Sequence, residues 1–290
     1  MIQVFGRNLA LGVAKLLLLS VLIFVILSGN TTYDTSLSFL GFFKAMFSGR
    51  LMSDPALTGM TPLLPALVYS VTILALALIL SYGLGVPLGI VLGRYRMLWT
   101  QVLGHSLISI TLAIPAFWVA YVVLYYSIAD WGIYIGGEAT QIEKIDTIYI
   151  GKCLLLAIPL SLSGIAFVAR QVSQTLTNAF SPGSLRSARS LGITQRMIFD
   201  TVMTTVIWRP LLRWFPFLFS LFLSVLIVIE TAFFVPGFGY AVYEAAEQSD
   251  LQRLAVLSLW ISIALLAANM LVDIIVEFID ERHPSAPEMD

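Results

Sequence analysis

Few side chains in this 290-residue sequence are grouped in a way that would support catalysis. The two histidines, His105 and His283, are far apart, and the single cysteine, Cys153, lies in an apolar stretch. A metal site needs several His, Cys or carboxylate ligands at close spacing, and an internal disulfide needs a second cysteine. We therefore expect no enzyme activity, no catalytic residue and no metal ligand in this chain.

Glu230 is the acid that stands out, because it directly follows a long uncharged stretch. An acid near the bilayer is costly and tends to be functional, although a solvated or locally paired acid is common at the interface. The run Pro236-Gly237-Phe238-Gly239 follows shortly after it, and glycine suits tight bends that need a positive φ. We predict that Glu230 braces this turn.

A second candidate site is a basic segment centred on residues 181–192. Ser181, Pro182 and Gly183 open a short helical run that ends at Gly192, a residue type suited to the position just past a helix. Ala188 and Gly192 are four residues apart, on one face, so another protein could approach the backbone closely there. An ordinary surface helix with a glycine stop explains the same spacing.

The elements that must position these residues are membrane helices. The chain is 59% hydrophobic and 11% charged, and its mean hydropathy is +0.92, whereas soluble domains carry about 25% charged residues. A net charge of −1 gives no sign of a nucleic-acid partner. Spans of about 20 apolar residues must be helical in lipid. We predict an all-α membrane protein with about six transmembrane helices, at roughly 9–28, 66–92, 102–128, 151–172, 211–234 and 254–276.

The first of these spans could also be read as a secretory signal, since basic residues precede an apolar run. No small-residue cleavage site of Ala-x-Ala type follows, and Gly29 and Asn30 come next instead. We therefore predict a retained first helix.

The distribution of Lys and Arg predicts the orientation. With the N-terminus inside, the outer segments hold five of these residues, namely Lys44, Arg50, Lys144, Lys152 and Arg253. The inner segments hold ten: Arg7, Arg94, Arg96, Arg170, Arg186, Arg189, Arg196, Arg209, Arg213 and Arg282. We expect both termini to be cytoplasmic.

Among the prolines inside predicted spans are Pro87 and Pro115. Proline removes a backbone donor and clashes with the preceding turn, so it kinks a helix. Kinks in membrane bundles often lie beside a cavity or a moving element, although simple packing is an equal alternative.

Several motifs, taken in order, resemble those of a known family. The run 186–192 is similar to the "Ala-Ala then Gly" cytoplasmic motif of ABC importer permeases, with Ser187-Ala188 in place of the alanine pair. The run 230–239 resembles the Glu-x-x-Phe-x-x-Pro-Gly-Leu-Gly signature of dipeptide, oligopeptide and nickel permeases, and Asp250 matches an acid in the same loop. The runs 85–89 and 114–118 are also similar to family landmarks. The resemblance covers about residues 60–280.

The resemblance implies an ABC importer type I permease fold, in which residues 1–65 form a first helix and outer loop, 66–280 the permease core, and 281–290 a cytoplasmic tail. It implies that the chain forms half of the translocation pathway for peptides or a related small solute, such as a metal chelate or antimicrobial peptide. Coupling to the ATPase subunit would use Ser187, Ala188, Arg189 and Gly192, and the outer gate would use Glu230, Phe233, Pro236, Gly237, Gly239 and Asp250.

The partners implied by the family are a homologous second permease, two ATP-binding subunits and an extracytoplasmic binding protein, in a bacterial inner membrane. No Gly-x-x-x-x-Gly-Lys-Ser/Thr loop occurs in the sequence. ATP and Mg²⁺ are therefore expected on the partner subunits, with no cofactor on this chain.

Two other classes of function remain as alternatives. A secondary transporter or channel would need no ATPase, but an ion-coupled carrier should show intramembrane acids or an inverted repeat. An intramembrane enzyme would need a nucleophile with a base at bilayer depth, and neither a Gly-x-Ser-x-Gly nor a His-Glu-x-x-His pattern occurs.

Overall fold

The computed structural model describes residues 63–94, 98–129, 147–180 and 207–282, together with isolated positions between 12 and 25 and at 183 and 190. Helices are the regular secondary structure of this part of the chain. We number them α1 (Leu63–Arg94), α2 (Leu98–Ala113), α3 (Ala116–Ala129), α4 (Thr147–Ala179), α5 (Trp208–Ala232), α6 (Phe238–Glu247) and α7 (Leu251–Arg282).

Four of these helices, α1, α4, α5 and α7, are long and apolar enough to cross a membrane. The α2–α3 pair would make a fifth span if it counts as one broken crossing. Five of the six predicted spans therefore correspond to described helices. The first, 9–28, lies mostly outside the described residues, although the positions described there are helical.

The predicted span at 102–128 consists of two helices, because the chain bends by 84° between α2 and α3, where a kink at Pro115 was predicted. The break falls at Ile114 and Pro115. Proline has no N–H to continue the helical ladder and pushes the preceding residue away from helical geometry. A new helix then starts at once, since the carbonyl of Pro115 accepts from the N–H of Trp118 at 3.0 Å. Pro87, by contrast, lies inside α1, which runs without a break to Arg94.

The tightest packing in the bundle joins α1 to α4 through glycines. Gly85, Gly89 and Gly93 are four residues apart, so they form one stripe along α1. A Cβ added at these positions would lie 2.8, 2.6 and 2.8 Å from the Cβ atoms of the residues opposite, which are Val168, Val172 and Leu176. Small residues allow membrane helices to approach until their backbones touch. This stripe was not predicted, although its four-residue spacing is visible in the sequence.

The buried core continues from α4 to α5. Leu156 and Leu160 of α4 and Leu218 and Phe222 of α5 are fully buried in one cluster. Farther along the chain, Ala241 and Ala245 of α6 pack in a smaller cluster with Leu257 of α7. Helix α6 was not predicted from the sequence, which indicated only a turn there. Its position against α5, α7 and α1 makes the region after α5 a compact junction.

Candidate functional site at the junction of α5 and α6

The side chain of Glu230, near the end of α5, is fully buried. Its Oε2 atom accepts hydrogen bonds from the backbone N–H groups of Gly239 at 2.6 Å and Tyr240 at 3.2 Å. Its Oε1 atom accepts from the Ser70 hydroxyl of α1 at 2.5 Å. The Ser70 oxygen in turn accepts from the N–H of Phe238 at 2.7 Å. We call Ser70, Glu230 and the N–H groups of residues 238–240 the junction site.

The junction site explains why α6 begins where it does. The first N–H groups of a helix have no partner inside it and are usually satisfied by a capping side chain. Gly237 occupies the cap position and provides no side chain. Glu230 and Ser70 supply the missing acceptors from two other helices. A carboxyl group at a helix N-terminus is also favoured by the helix dipole. The bracing role predicted for Glu230 agrees with these contacts.

The glycines of this turn were predicted to allow a positive φ, and that prediction is wrong. Gly237 has φ −93° and ψ −178°, which is extended backbone that any residue can adopt. Instead, a Cβ on Gly237 would overlap the Glu230 carboxyl group, and one on Gly239 would lie 2.6 Å from the Cα of Ile227. Glycine is therefore required by lack of space, because the turn lies directly against the carboxyl group and α5.

The positive φ in this turn belongs to Phe234, at 51°. The N–H of Val235, the next residue, donates to the carbonyl of Glu230 at 2.9 Å. A hydrogen bond of this kind next to a residue with positive φ ends many helices. Phe233 is buried at the turn, whereas Phe234 is exposed. Pro236 follows at a half-buried position and cannot continue α5. Five residues, 233–237, thus connect α5 to α6.

Asp250 is not part of the junction site. Its Oδ1 atom accepts from the N–H of Arg253 at 3.0 Å, so it caps the first turn of α7. Ser249 just before it has φ 56°. Of the residues predicted for the outer gate, the structure therefore brings Glu230, Gly237 and Gly239 together and gives Asp250 a separate position.

Replacing Asp250 with alanine should destabilise the N-terminal turn of α7. Loss of an N-cap acceptor costs about 1 kcal/mol, so we expect a small drop in the thermal transition of the purified complex. Asp250→Asn keeps a capping oxygen and should behave like wild type. Equal destabilisation by both variants would mean that the charge, rather than the cap, is important.

Two residues at this end of the bundle were missed by the sequence analysis, Ser70 and Arg253. Ser70 is 160 residues from Glu230 in sequence, and nothing local marks it as a partner. The Arg253 side chain is nearly buried, and its Nη2 atom lies 3.8 Å from Oε2 of Glu244 on α6. The signal available in the sequence was that Arg253 is the one basic residue between the predicted spans 211–234 and 254–276. In the structure it links α6 to α7.

The residues predicted to couple to an ATPase, Ser187, Ala188, Arg189 and Gly192, lie outside the described residues. Gly183 and Ser190 of the same segment are helical and exposed. Within the described part of the chain, no group of three or more His, Cys, Asp or Glu side chains could hold a metal ion.

Comparison with known proteins covers most of the chain. The model of a family described as binding-protein-dependent transport system inner membrane component matches residues 85–283. A putative peptide transport system permease protein of Brucella suis biovar 1 (strain 1330) is 25% identical over 236 residues, which cover 80% of this chain and 73% of that protein. A nickel import system permease protein of Staphylococcus aureus (strain USA300) is 22% identical over 207 residues, which cover 71% of this chain and 59% of that protein.

Proposed function

Because the chain belongs to the family of binding-protein-dependent transport system inner membrane components, we propose that it forms half of the translocation pathway of an ATP-driven importer. Family membership makes it a permease subunit of an ABC importer in the inner membrane, and a transport subunit rather than an enzyme. It also implies that a binding protein and an ATPase act with it. The partners in the proposed assembly are a homologous permease, two ATP-binding subunits and one extracytoplasmic binding protein, with ATP and Mg²⁺ on the ATP-binding subunits.

The observation that carries the mechanism is the junction site. Helix α1, whose Ser70 is 160 residues from Glu230 in sequence, meets α5 and the start of α6 at one buried carboxyl group. A movement of α5 therefore moves α6 with it, because breaking the site would leave buried donors without acceptors. In the proposed mechanism, Glu230, Phe233, Pro236, Gly237 and Gly239 shape an outer gate. Asp250 sets the start of the helix that follows the gate.

We place the contact with the ATPase subunits at the end of the bundle opposite the junction site. ATP-driven closure of the ATPase subunits would pull on residues 184–192, in which Ser187, Ala188, Arg189 and Gly192 form the contact. This requires both termini to be cytoplasmic, and the excess of Lys and Arg in the predicted inner segments supports that orientation. Within the spans, the candidate points of flexibility are the break at Pro115 and the part of α1 around Pro87.

Peptides are the proposed substrate class, and nickel or another metal chelate is the alternative. The support is the pair of relatives, one named for peptide transport and one for nickel import. The test is ATP hydrolysis by the complete four-subunit complex in liposomes, with and without binding protein and candidate solutes. Stimulation by one solute class, with its accumulation inside the vesicles, is expected. ATPase activity insensitive to the binding protein and every solute would contradict the proposal.

Placing a leucine at Gly192 should uncouple ATP hydrolysis from transport, since a bulky side chain would hold the ATPase away from the backbone. We expect transport to fall by about tenfold or more, which corresponds to roughly 1.4 kcal/mol of lost coupling. Gly183→Leu is the matched control in the same segment, because Gly183 is exposed and no atom of the described residues lies within 4 Å of a Cβ there. If Gly192→Leu transported normally, the coupling assignment would be wrong.

A further inference from the structure

A cavity of about 270 Å³ lies between α1, α5 and α7. Two members of the junction site, Ser70 and Gly239, contribute to its lining. The three helices around it are all candidate membrane spans. The cavity therefore lies within the membrane-spanning part of the bundle, directly beside the junction of α5 and α6.

The walls of this cavity are suited to an apolar occupant. They are formed largely by aliphatic and aromatic side chains, including Leu74, Leu223 and Trp260. The Ser70 hydroxyl already donates to Glu230 and accepts from the N–H of Phe238. The Ser224 hydroxyl donates to the carbonyl of Ser220 at 3.0 Å. A buried water needs two to four polar partners. A polar solute or a water cluster would find few partners here.

The edge of the cavity is continuous with a lipid-type surface. Leu67 and Val71 line the cavity and remain 39% and 54% exposed. The outward face of α1 continues from them with aliphatic side chains such as Val68 and Ile79. In a membrane, an exposed aliphatic helix face contacts acyl chains, which are as apolar as leucine. Where this face borders lipid, acyl chains reach the cavity directly.

We propose that this cavity holds part of one acyl chain of a membrane lipid, and that the chain supports the junction site. An apolar cavity of about 150 Å³ can bind benzene, so the present volume has room for a segment of a chain. Ser70 is both a wall of the cavity and a ligand of Glu230, so an occupied cavity holds Ser70 against the carboxyl group. This inference does not depend on the substrate or on ATP coupling, and it adds a lipid site to the gate region.

Trp260 provides a direct probe of the occupant. The assembled complex is placed in nanodiscs whose lipids carry bromine in the middle of the acyl chain, and tryptophan quenching is measured. The signal lost in Trp260→Phe isolates this residue, and Trp214→Phe isolates a tryptophan that is 39% exposed on α5 outside the cavity. We expect bromine to quench Trp260 and water-soluble acrylamide to leave it protected.

Cavity-filling variants separate an acyl chain inside the cavity from lipid outside it. Ala264→Phe on α7 and Leu223→Phe on α5 narrow the cavity from two sides. Each should reduce the bromine quenching of Trp260 by about half, since the added ring occupies volume that the chain needs, and should leave Trp214 unchanged. Unaltered Trp260 quenching in both variants would overturn the proposal. So would acrylamide quenching of wild-type Trp260, which indicates water, or protection from both quenchers, which indicates a protein segment.

Discussion

Transport by the Glu230→Ala variant is expected to fall by about 100-fold, the largest effect of any single substitution at the junction site. The substitution removes the acceptor of the N–H groups of Gly239 and Tyr240 and of the Ser70 hydroxyl. Each buried donor left without a partner costs about 1–3 kcal/mol. A total of roughly 3 kcal/mol would undock the start of α6 in most molecules, which accounts for the size of the loss.

The conservative variant Glu230→Gln should fall between wild type and alanine. Its single amide oxygen can accept from the α6 N–H groups, but its NH₂ group would then face the Ser70 hydroxyl, which now donates to Oε1. The Ser70 oxygen can accept from this NH₂ group as well as from the N–H of Phe238, but the Ser70 hydroxyl hydrogen then loses the acceptor it has in wild type. We therefore expect Gln to retain α6 docking while weakening its link to α1.

The matched control is Glu247→Ala, which removes the same type of side chain from an exposed position at the end of α6. Surface changes of this kind alter stability by about 0.5 kcal/mol or less. Amide hydrogen exchange of Gly239 and Tyr240 reports the junction site directly. Exchange at these amides should accelerate in Glu230→Ala and stay at the wild-type rate in Glu247→Ala. Unchanged protection in Glu230→Ala would show that the carboxyl group does not hold α6.

The second large effect is expected at Gly89, in the middle of the glycine stripe of α1. A Cβ at this position would lie 2.6 Å from the Cβ of Val172 and 2.7 Å from the carbonyl oxygen of Ala169. Neither contact can be relieved by rotating a side chain end, because both atoms belong to or adjoin the α4 backbone. The two helices must separate, and overpacking of this kind costs about 1–3 kcal/mol.

We expect Gly89→Ala to lower the thermal transition of the purified complex clearly, and Gly89→Val to prevent stable assembly. Gly83→Ala on the same helix is the control, because no atom lies within 4 Å of a Cβ there. It should be neutral or stabilising by up to about 1 kcal/mol, since alanine is the better helix former. Similar transitions for the Gly83 and Gly89 alanine variants would refute the idea that α1 and α4 are in backbone contact.

Much of the architecture could be predicted from the sequence because membrane insertion depends on local composition. Spans corresponding to α1, α4, α5 and α7 follow from uncharged apolar stretches, since a helix in lipid satisfies its own backbone. The run 230–239 also pointed to the region that the structure makes compact. In the same way, the lone acid Glu230 stood out because a charge beside an apolar stretch needs an explanation.

The tertiary structure decided what these residues do to one another. Ser70 became a partner of Glu230 across 160 residues, Gly237 proved necessary for space rather than for a positive φ, and Pro115 turned one predicted span into two helices at 84°. The first N–H groups of α6 are capped by acceptors from α1 and α5, which no local pattern shows. Hydropathy depends on each residue and its neighbours, whereas hydrogen bonds and close contacts depend on which helices meet, and that is set only when the whole bundle packs.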